Sequence, residues 1–290
     1  MKCSDFVPPI LTQLARRLRS GANRSKITAK PYERRATYLT YDEASKHCAT
    51  RGYEAADLVE VVFQKTVAFR DSLLTSPPPM TLSDSLALFA LGLSSSSSEP
   101  ITVLDFGGAC GAHYFRMRAL IQPHVRLRWH VIETSAMSRR AAQLQTDELS
   151  FSDSLAAAKR SLGQIDIAFS SGTLQCVPDP HQTLTDLLDC HASYLVLPRL
   201  GMSETSKAVI TIHEARLSYN GHGPMPPGME DGVTEYPFTF ASRTSIEACI
   251  AKNYEIILTM ADPSGVYPVN NEPLVGLGYI ARAKACLQHA

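Results

Sequence analysis

The chain has 290 residues, 44% of them hydrophobic, and its 28 basic and 28 acidic side chains leave a formal net charge of zero. That is ordinary globular composition, enough for one large domain or a domain with an appendage. A balanced charge offers no long-range field to gather nucleic acid or an anionic membrane, so a small-molecule or protein substrate is expected.

The seven cysteines, at 3, 48, 110, 176, 190, 249 and 286, form an odd set without a C-x-x-C pair. They read as reduced thiols of a cytoplasmic protein, not as a disulfide frame or a zinc site, and no bound metal is expected. The opening MKCSDFVPPILTQLARRLRS is too short and too interrupted for a signal peptide or a span. Nowhere else do about 18 apolar residues run together, so a soluble chain without membrane contact is expected.

In chain order, residues 1–36 mix basic residues with two prolines and read as a partly ordered arm. Thr40 to Glu43 spells a capping box, T-x-x-E, which predicts a helix to about Thr50, stopped by Gly52. A second helix is predicted over 54–71, because Leu58, Val61, Val62, Lys65 and Phe69 fall at helical spacing. A third follows over 83–92, after the break at Pro77 to Pro79. Ser94 to Ser98 has nothing to bury and reads as a linker. Residues 1–99 are therefore expected to form a helical N-terminal lid, and 100–290 a second domain.

After the linker, apolar runs at 101–106, 127–133, 165–170 and 193–198 alternate with helix-compatible stretches. Such alternation predicts right-handed crossovers and a parallel sheet. YEIILTM (254–260) and LVGLGYIARAK (274–284) are two further strand-like runs, expected as a terminal hairpin on one edge.

VLDFGGACG is the informative segment. Asp105 ends a strand, and Gly107, Gly108 and Gly111 allow a turn with positive φ before a helix that opens near His113. The free N–H groups of such a helix meet an anionic group of a ligand. Glu133 ends RLRWHVIE, 22 residues beyond Gly111, where an acid at the tip of the second strand would accept from ribose hydroxyls. Loop and acid together fit an adenosine-bearing ligand. NAD competes, but Asp105 stands where dinucleotide folds keep an apolar residue.

The sequence here resembles class I S-adenosylmethionine (SAM) dependent methyltransferases, whose first motif is D-x-G-x-G-x-G. Asp105, Gly107 and Gly111 match it, while Ala109 replaces the middle glycine. Within that superfamily the chain is similar to a bacterial group with a GG-x-x-G loop, a Tyr-Phe pair and a Ser-Ser-x-x-Leu-Gln-Tyr segment. The likeness runs through RGYEAADLVEVV, AFRDS, DFGGACGAHYF, WHVIE, ELSFSDSL, AFSSGTLQCVPDP and YPFTFAS, with Cys176 standing at the group's tyrosine. The resemblance implies a Rossmann-like methyltransferase fold of class α/β: a mostly parallel seven-stranded sheet with a C-terminal antiparallel hairpin and a helical lid.

By position, the resemblance gives Asp105 the methionine amino group of SAM, and Gly107, Gly108 and Gly111 its amino acid part. Glu133 takes the ribose. Ser152 and Asp153 flank the adenine, and Ser170, Ser171 and Thr173 face the sulfonium and the acceptor. The acceptor pocket is expected from the 199–243 insert, where GHGPMPPG could close over a substrate. His213 is the first candidate base for a hydroxyl or amine acceptor, against the plainer reading of an ordinary strand residue. Tyr114, Tyr219 and Tyr236 are candidates for an aromatic wall around the sulfonium, or packing residues. His113 could touch the ligand or face solvent, and no paired base makes Cys110 or Cys176 a nucleophile.

The leading reading is a small-molecule methyltransferase of specialised metabolism, with a homodimer allowed. Two alternatives accompany it. Some members of the group resemble SAM cyclases, which release methylthioadenosine and close azetidine-2-carboxylate; a silent SAM-binding protein is the other.

Overall fold

Between residues 101 and 188 each strand feeds a helix that packs back onto the sheet, which is why apolar runs and helical stretches alternate there. The computed structural model describes residues 36–50, 52–94, 99–266 and 268–284. Apart from Ala36 and Ser94, the expected basic arm and the serine loop lie outside them. The described residues belong to one compact unit.

The N-terminal part holds β1 (Thr37–Tyr38), α1 (Tyr41–Lys46), α2 (Ala56–Ser72) and α3 (Leu82–Ser94). Thr40 caps α1 as expected, its hydroxyl accepting from the Glu43 N–H at 3.1 Å. The Glu43 carboxylate reaches one residue further back than a capping box requires, accepting from the Leu39 N–H at 2.9 Å. The helix also stops earlier than the predicted Thr50. The Ala49 N–H is taken by Glu235 at 2.6 Å, and the Thr50 hydroxyl donates to the Glu235 carbonyl at 3.1 Å. Those long-range partners hold the chain off the helical path. The α2 stripe is as predicted: Leu58, Val61, Val62, Lys65 and Phe69 are all buried.

The second part runs β2 (Ile101–Phe106), α4 (Ala112–Leu120), β3 (Leu127–Ile132), α5 (Ser135–Ala141), β4 (Leu149–Ser152), α6 (Leu155–Leu162) and β5 (Ile167–Phe169). It continues through α7 (Pro180–Leu188), β6 (Tyr194–Ser203), β7 (Val209–Arg216), β8 (Val233–Ser242), α8 (Arg243–Ile250), β9 (Tyr254–Ala261) and β10 (Leu274–Ala283). The main sheet has the order β4-β3-β2-β5-β6-β10-β9. The pairs among β2 to β6 are parallel, and β10 is antiparallel to both neighbours. This is the Rossmann-like methyltransferase arrangement, a mostly parallel sheet closed by an antiparallel hairpin.

Successive strand residues face opposite layers. Val103, Trp129, Phe169, Val196 and Ile280 meet α3 and α4 on one face. Leu104, Leu195 and Ala281 meet α6, α7 and α8 on the other. The stretch expected as an insert forms a second, antiparallel set, β1-β7-β8. It hangs from the carboxyl end of β6, where Met202 and Ser203 pair with Ala241 and Ser242. No helix among the described residues is long and apolar enough to cross a membrane.

Helix α3 seats directly on β10 at Gly278, where a Cβ would stand 2.7 Å from Leu86 Cδ1 and 3.4 Å from the Pro198 backbone. Gly278→Ala is expected to cost about 1–3 kcal/mol in urea unfolding. Leu86→Ala alone should cost about 2–5 kcal/mol by leaving a cavity. Because the new methyl fills space that leucine vacates, the double variant should lose less than the sum, read as a double-mutant cycle.

Candidate functional site

The loop between β2 and α4 is shaped by three protein contacts, each at a glycine. Gly107 (φ +74°) lies under the Thr173 side chain, Gly108 over the Asp105 carboxylate, and Gly111 (φ +81°) against Leu149; a Cβ at either of the first two would overlap its neighbour. Ala109 also takes a left-handed φ of 52°, a cost that glycine would avoid. Gly111 begins α4 with no side chain capping it.

Asp105 is fully buried. Its Oδ2 accepts from the Trp129 indole N–H at 3.0 Å, and its Oδ1 has no hydrogen-bond partner. Burial pushes the carboxyl up to about 6, against opposing contributions from His113 and the indole. Glu133, past the end of β3, clamps the same loop: Oε1 accepts from the Ala109 N–H and Oε2 from the Thr134 N–H, both at 2.9 Å. Burial raises this carboxyl too, and the two N–H groups pull it back.

Ser152 ends β4, with its hydroxyl at 2.8 Å from His130 Nε2, while His130 Nδ1 meets Ser150 at 2.8 Å. One imidazole thus fixes both serines across the strand pair. Asp153 is exposed and accepts from the Ser135 hydroxyl. At the end of β5, Ser170 is buried with an unpartnered hydroxyl. The Ser171 and Ser83 hydroxyls meet at 2.8 Å, and the Thr173 hydroxyl reaches the Gly107 carbonyl at 3.4 Å.

A polar cluster backs this corner. Asp84 on α3 is buried, 3.6 Å from Arg116 Nε and 3.9 Å from His113 Nδ1. Burial would raise its carboxyl, but His113 and the Thr81 N–H and hydroxyl hold it down at about 2. His113 therefore faces Asp84 and the Phe169 edge instead of solvent. The GHGPMPPG loop packs on α2, the His222 ring stacking on Phe69 at 4.5 Å, and just before it the Ser218 carbonyl accepts from Lys65 at 2.6 Å. Burial, then the charge of His113, drives the His222 imidazole down to about 4.

His213 and Tyr236 face each other across β7 and β8, with ring centroids 5.2 Å apart. They line a cavity of about 170 Å³ together with Tyr53, Gln175, Cys176 and Arg199. Burial raises the Tyr236 hydroxyl and pushes the Cys176 thiol to about 12, so that thiol stays protonated. Cys110 is likewise pushed by burial to about 12. Of the other aromatic candidates, Tyr114 is buried and donates to Glu148, and Tyr219 is 78% exposed.

The structure thus gathers the expected residues into two groups. Asp105, Gly107, Gly108, Glu133, Ser170, Ser171 and Thr173 surround the loop, while His213 and Tyr236 line the cavity, which Gly172 of the β5 loop also borders. Ser152 adjoins the first group, its carbonyl accepting from the Glu133 N–H at 3.0 Å, and Asp153 follows it just past β4. Sequence reasoning missed Trp129, Tyr53, Gln175 and Arg199. Two of these had a signal: Trp129 is the chain's single tryptophan, and Arg199 follows a proline inside the apolar run LVLPRLG.

No protein-family model and no curated protein matches the sequence. Solved structures with a similar fold include the N-terminal domain of EvdMO1, determined in the presence of SAH and D-fucose: 14% identity, 72% of this chain and 86% of that one, TM-score 0.45. Another is a SAM-dependent methyltransferase from Clostridium acetobutylicum, at 8% identity, 76% and 98% coverage and TM-score 0.46. A third is CalS10, an amino pentose methyltransferase from Micromonospora echinaspora, at 15% identity, 71% and 92% coverage and TM-score 0.41.

A buried acid whose pKa is raised by folding holds its proton more tightly in the folded state. The stability it contributes is full near pH 4 and is lost as pH rises through about 6. Asp105→Asn is neutral throughout, so the ligand-free variant should gain about 1–3 kcal/mol over the parent at neutral pH and little at pH 4. Urea titrations of both proteins across that range check the sign.

Proposed function

We propose that this chain is a SAM-dependent methyltransferase acting on a small molecule. The observation that carries the reading is the buried Asp105 carboxylate, with one oxygen unsatisfied beside a glycine loop that Glu133 clamps. A buried acceptor without a partner costs about 1–3 kcal/mol, which a ligand donor would recover. The second orphan, the Ser170 hydroxyl, lies at the carboxyl end of the neighbouring strand, where open α/β sheets bind ligands. The site therefore fits an adenosyl amino acid.

In this reading Asp105 Oδ1 takes the ligand's amino group, directly or through water. Gly107, Gly108 and Gly111 hold the loop tight enough for its backbone and the opening of α4 to meet the amino acid portion. Glu133 keeps lone pairs on both oxygens beyond its two backbone bonds, and these accept the ribose hydroxyls. Ser152 and Asp153 flank the adenine. Bound SAM supplies a methyl on a positively charged sulfur, so its transfer asks for alignment and dryness more than for acid–base strength.

Alignment falls to Ser171 and Thr173, which flank Gly172, a residue of the cavity wall. His213 is the candidate base for an acceptor hydroxyl or amine, with the Tyr236 ring packed on it. The tyrosine keeps its proton and so can orient an acceptor as a donor. Helices α1 and α2 and the 217–232 segment form the cover that excludes water.

The direct test is incubation of the protein with SAM, with and without a metabolite extract. S-adenosylhomocysteine formed only with extract supports methyl transfer, methylthioadenosine without extract supports cyclisation, and absence of SAM binding overturns the reading. The Asp105 charge adds a sharper expectation. Since the ligand ammonium needs an ionised partner, the Kd for S-adenosylhomocysteine should rise about tenfold per pH unit below about 6. Asp105→Asn should bind about 10–100-fold more weakly at neutral pH and lose that dependence, as read by calorimetry.

A further inference from the structure

The cavity beside Tyr236 carries a cation that the fold holds at a cost. Between Tyr279 and Leu277, β10 has one residue, Gly278, where β6 has two, Pro198 and Arg199. This is a β-bulge, and its strained position is a left-handed Arg199 at φ 57°. Glycine would occupy that conformation without strain. The bulge is held from the site side: the Gly172 N–H donates to the Pro198 carbonyl at 3.1 Å, and the buried Gln175 amide donates to the Arg199 carbonyl at 2.9 Å.

The guanidinium of Arg199 has no ion pair or hydrogen bond among the described residues, whereas eight other cationic side chains stand within 4 Å of a carboxylate. It stands next to Gly172, whose added Cβ would be 3.7 Å from Arg199 Cζ. The one carboxylate on the cavity wall, Asp262, is turned into its own loop, accepting from the Ser264 N–H at 2.9 Å and its hydroxyl at 2.5 Å. Part of the wall is aromatic, with Tyr53 and Tyr236 packed at 4.7 Å. Backbone strain that the surroundings hold in place in this way gathers at functional sites. A planar guanidinium on such a wall is matched to a carboxylate or phosphate.

We propose that this cavity is the acceptor site and that it selects a compact anionic acceptor, whose carboxylate or phosphate pairs with Arg199 while its body lies on Tyr53 and Tyr236. The inference rests on the methyltransferase reading above, because it takes the cavity to open toward the transferred methyl. It adds the charge of the substrate and the residue that reads it.

Calorimetry on the protein saturated with S-adenosylhomocysteine tests this, with benzoate and phenyl phosphate as anionic probes and benzamide as the neutral one. Benzoate or phenyl phosphate should bind and benzamide should not, and Arg199→Gln should weaken the anion by about 10–100-fold. Arg199→Gly should lose the anion as well, yet raise the Tm by roughly 2 °C through release of strain. Anion binding that survives Arg199→Gln, equal binding of benzamide, or no binding of either anion overturns the proposal. If Arg199→Gln loses S-adenosylhomocysteine itself, the anion read is the cofactor's own carboxylate, and the proposal falls while the cofactor reading stands. Should S-adenosylhomocysteine fail to bind the parent protein, the cofactor reading falls instead, and the same probes still report on Arg199 in the ligand-free chain.

Discussion

A carboxylate without solvent, held by a single indole N–H, sets the geometry at the centre of the sheet. Asp105 and Trp129 come from neighbouring parallel strands, so their bond fixes the tips of β2 and β3 relative to each other. Gly108 then lies flat over the carboxylate, and Gly107 slides beneath Thr173 from β5's loop. Glu133 draws the far side of the turn down through Ala109. Three strand ends are thereby tied to one loop, and the tie leaves one carboxylate oxygen unspent. A buried charge is costly unless it is fully paired, so the strand ends are arranged around a deficit that no hydrogen bond among the described residues fills.

Much of this was legible in the sequence because it is local. Strand, glycine loop and helix follow one another from 101 to 120, and the acid at 133 ends the next strand. The α2 stripe was equally plain, since a period of 3.6 needs no knowledge of its partner. The early end of α1 was not, because Glu235, which captures Ala49 and Thr50, is far away in sequence. The glycines were legible as glycines but not in their reasons. Each faces a protein side chain (Thr173, Asp105 or Leu149), whereas the sequence alone suggests a turn with positive φ, which Gly107 and Gly111 take.

The cavity lay beyond sequence reasoning for a different cause. Its wall draws on residues 53, 172–176, 199, 213, 236 and 262, which no spacing rule connects. They meet only because β6 outruns β5 and carries the β7–β8 pair from its far end. His213 and Tyr236 could be named as candidates from their chemistry. That they would sit opposite each other in register, with Tyr53 against the second ring, depended on the antiparallel pairing. Pro237, which gives no ladder N–H, interrupts the pattern that would have marked β8 as a strand.

The position of β10 carries a consequence for how the molecule assembles. This strand follows β6 and β9 in the chain yet lies between them, bonded to both along its length. Until it arrives, one side of β6 is an open edge and β9 has no ladder at all. The sheet therefore cannot grow outward strand by strand in the order of synthesis. It needs a late insertion that closes a long loop, an entropic toll that slows folding and leaves apolar edges exposed meanwhile. Helix α3 rests on β5, β6 and β10 together, so its seat at Gly278 is complete only after that closure, and the N-terminal part and the last strand finish the molecule together.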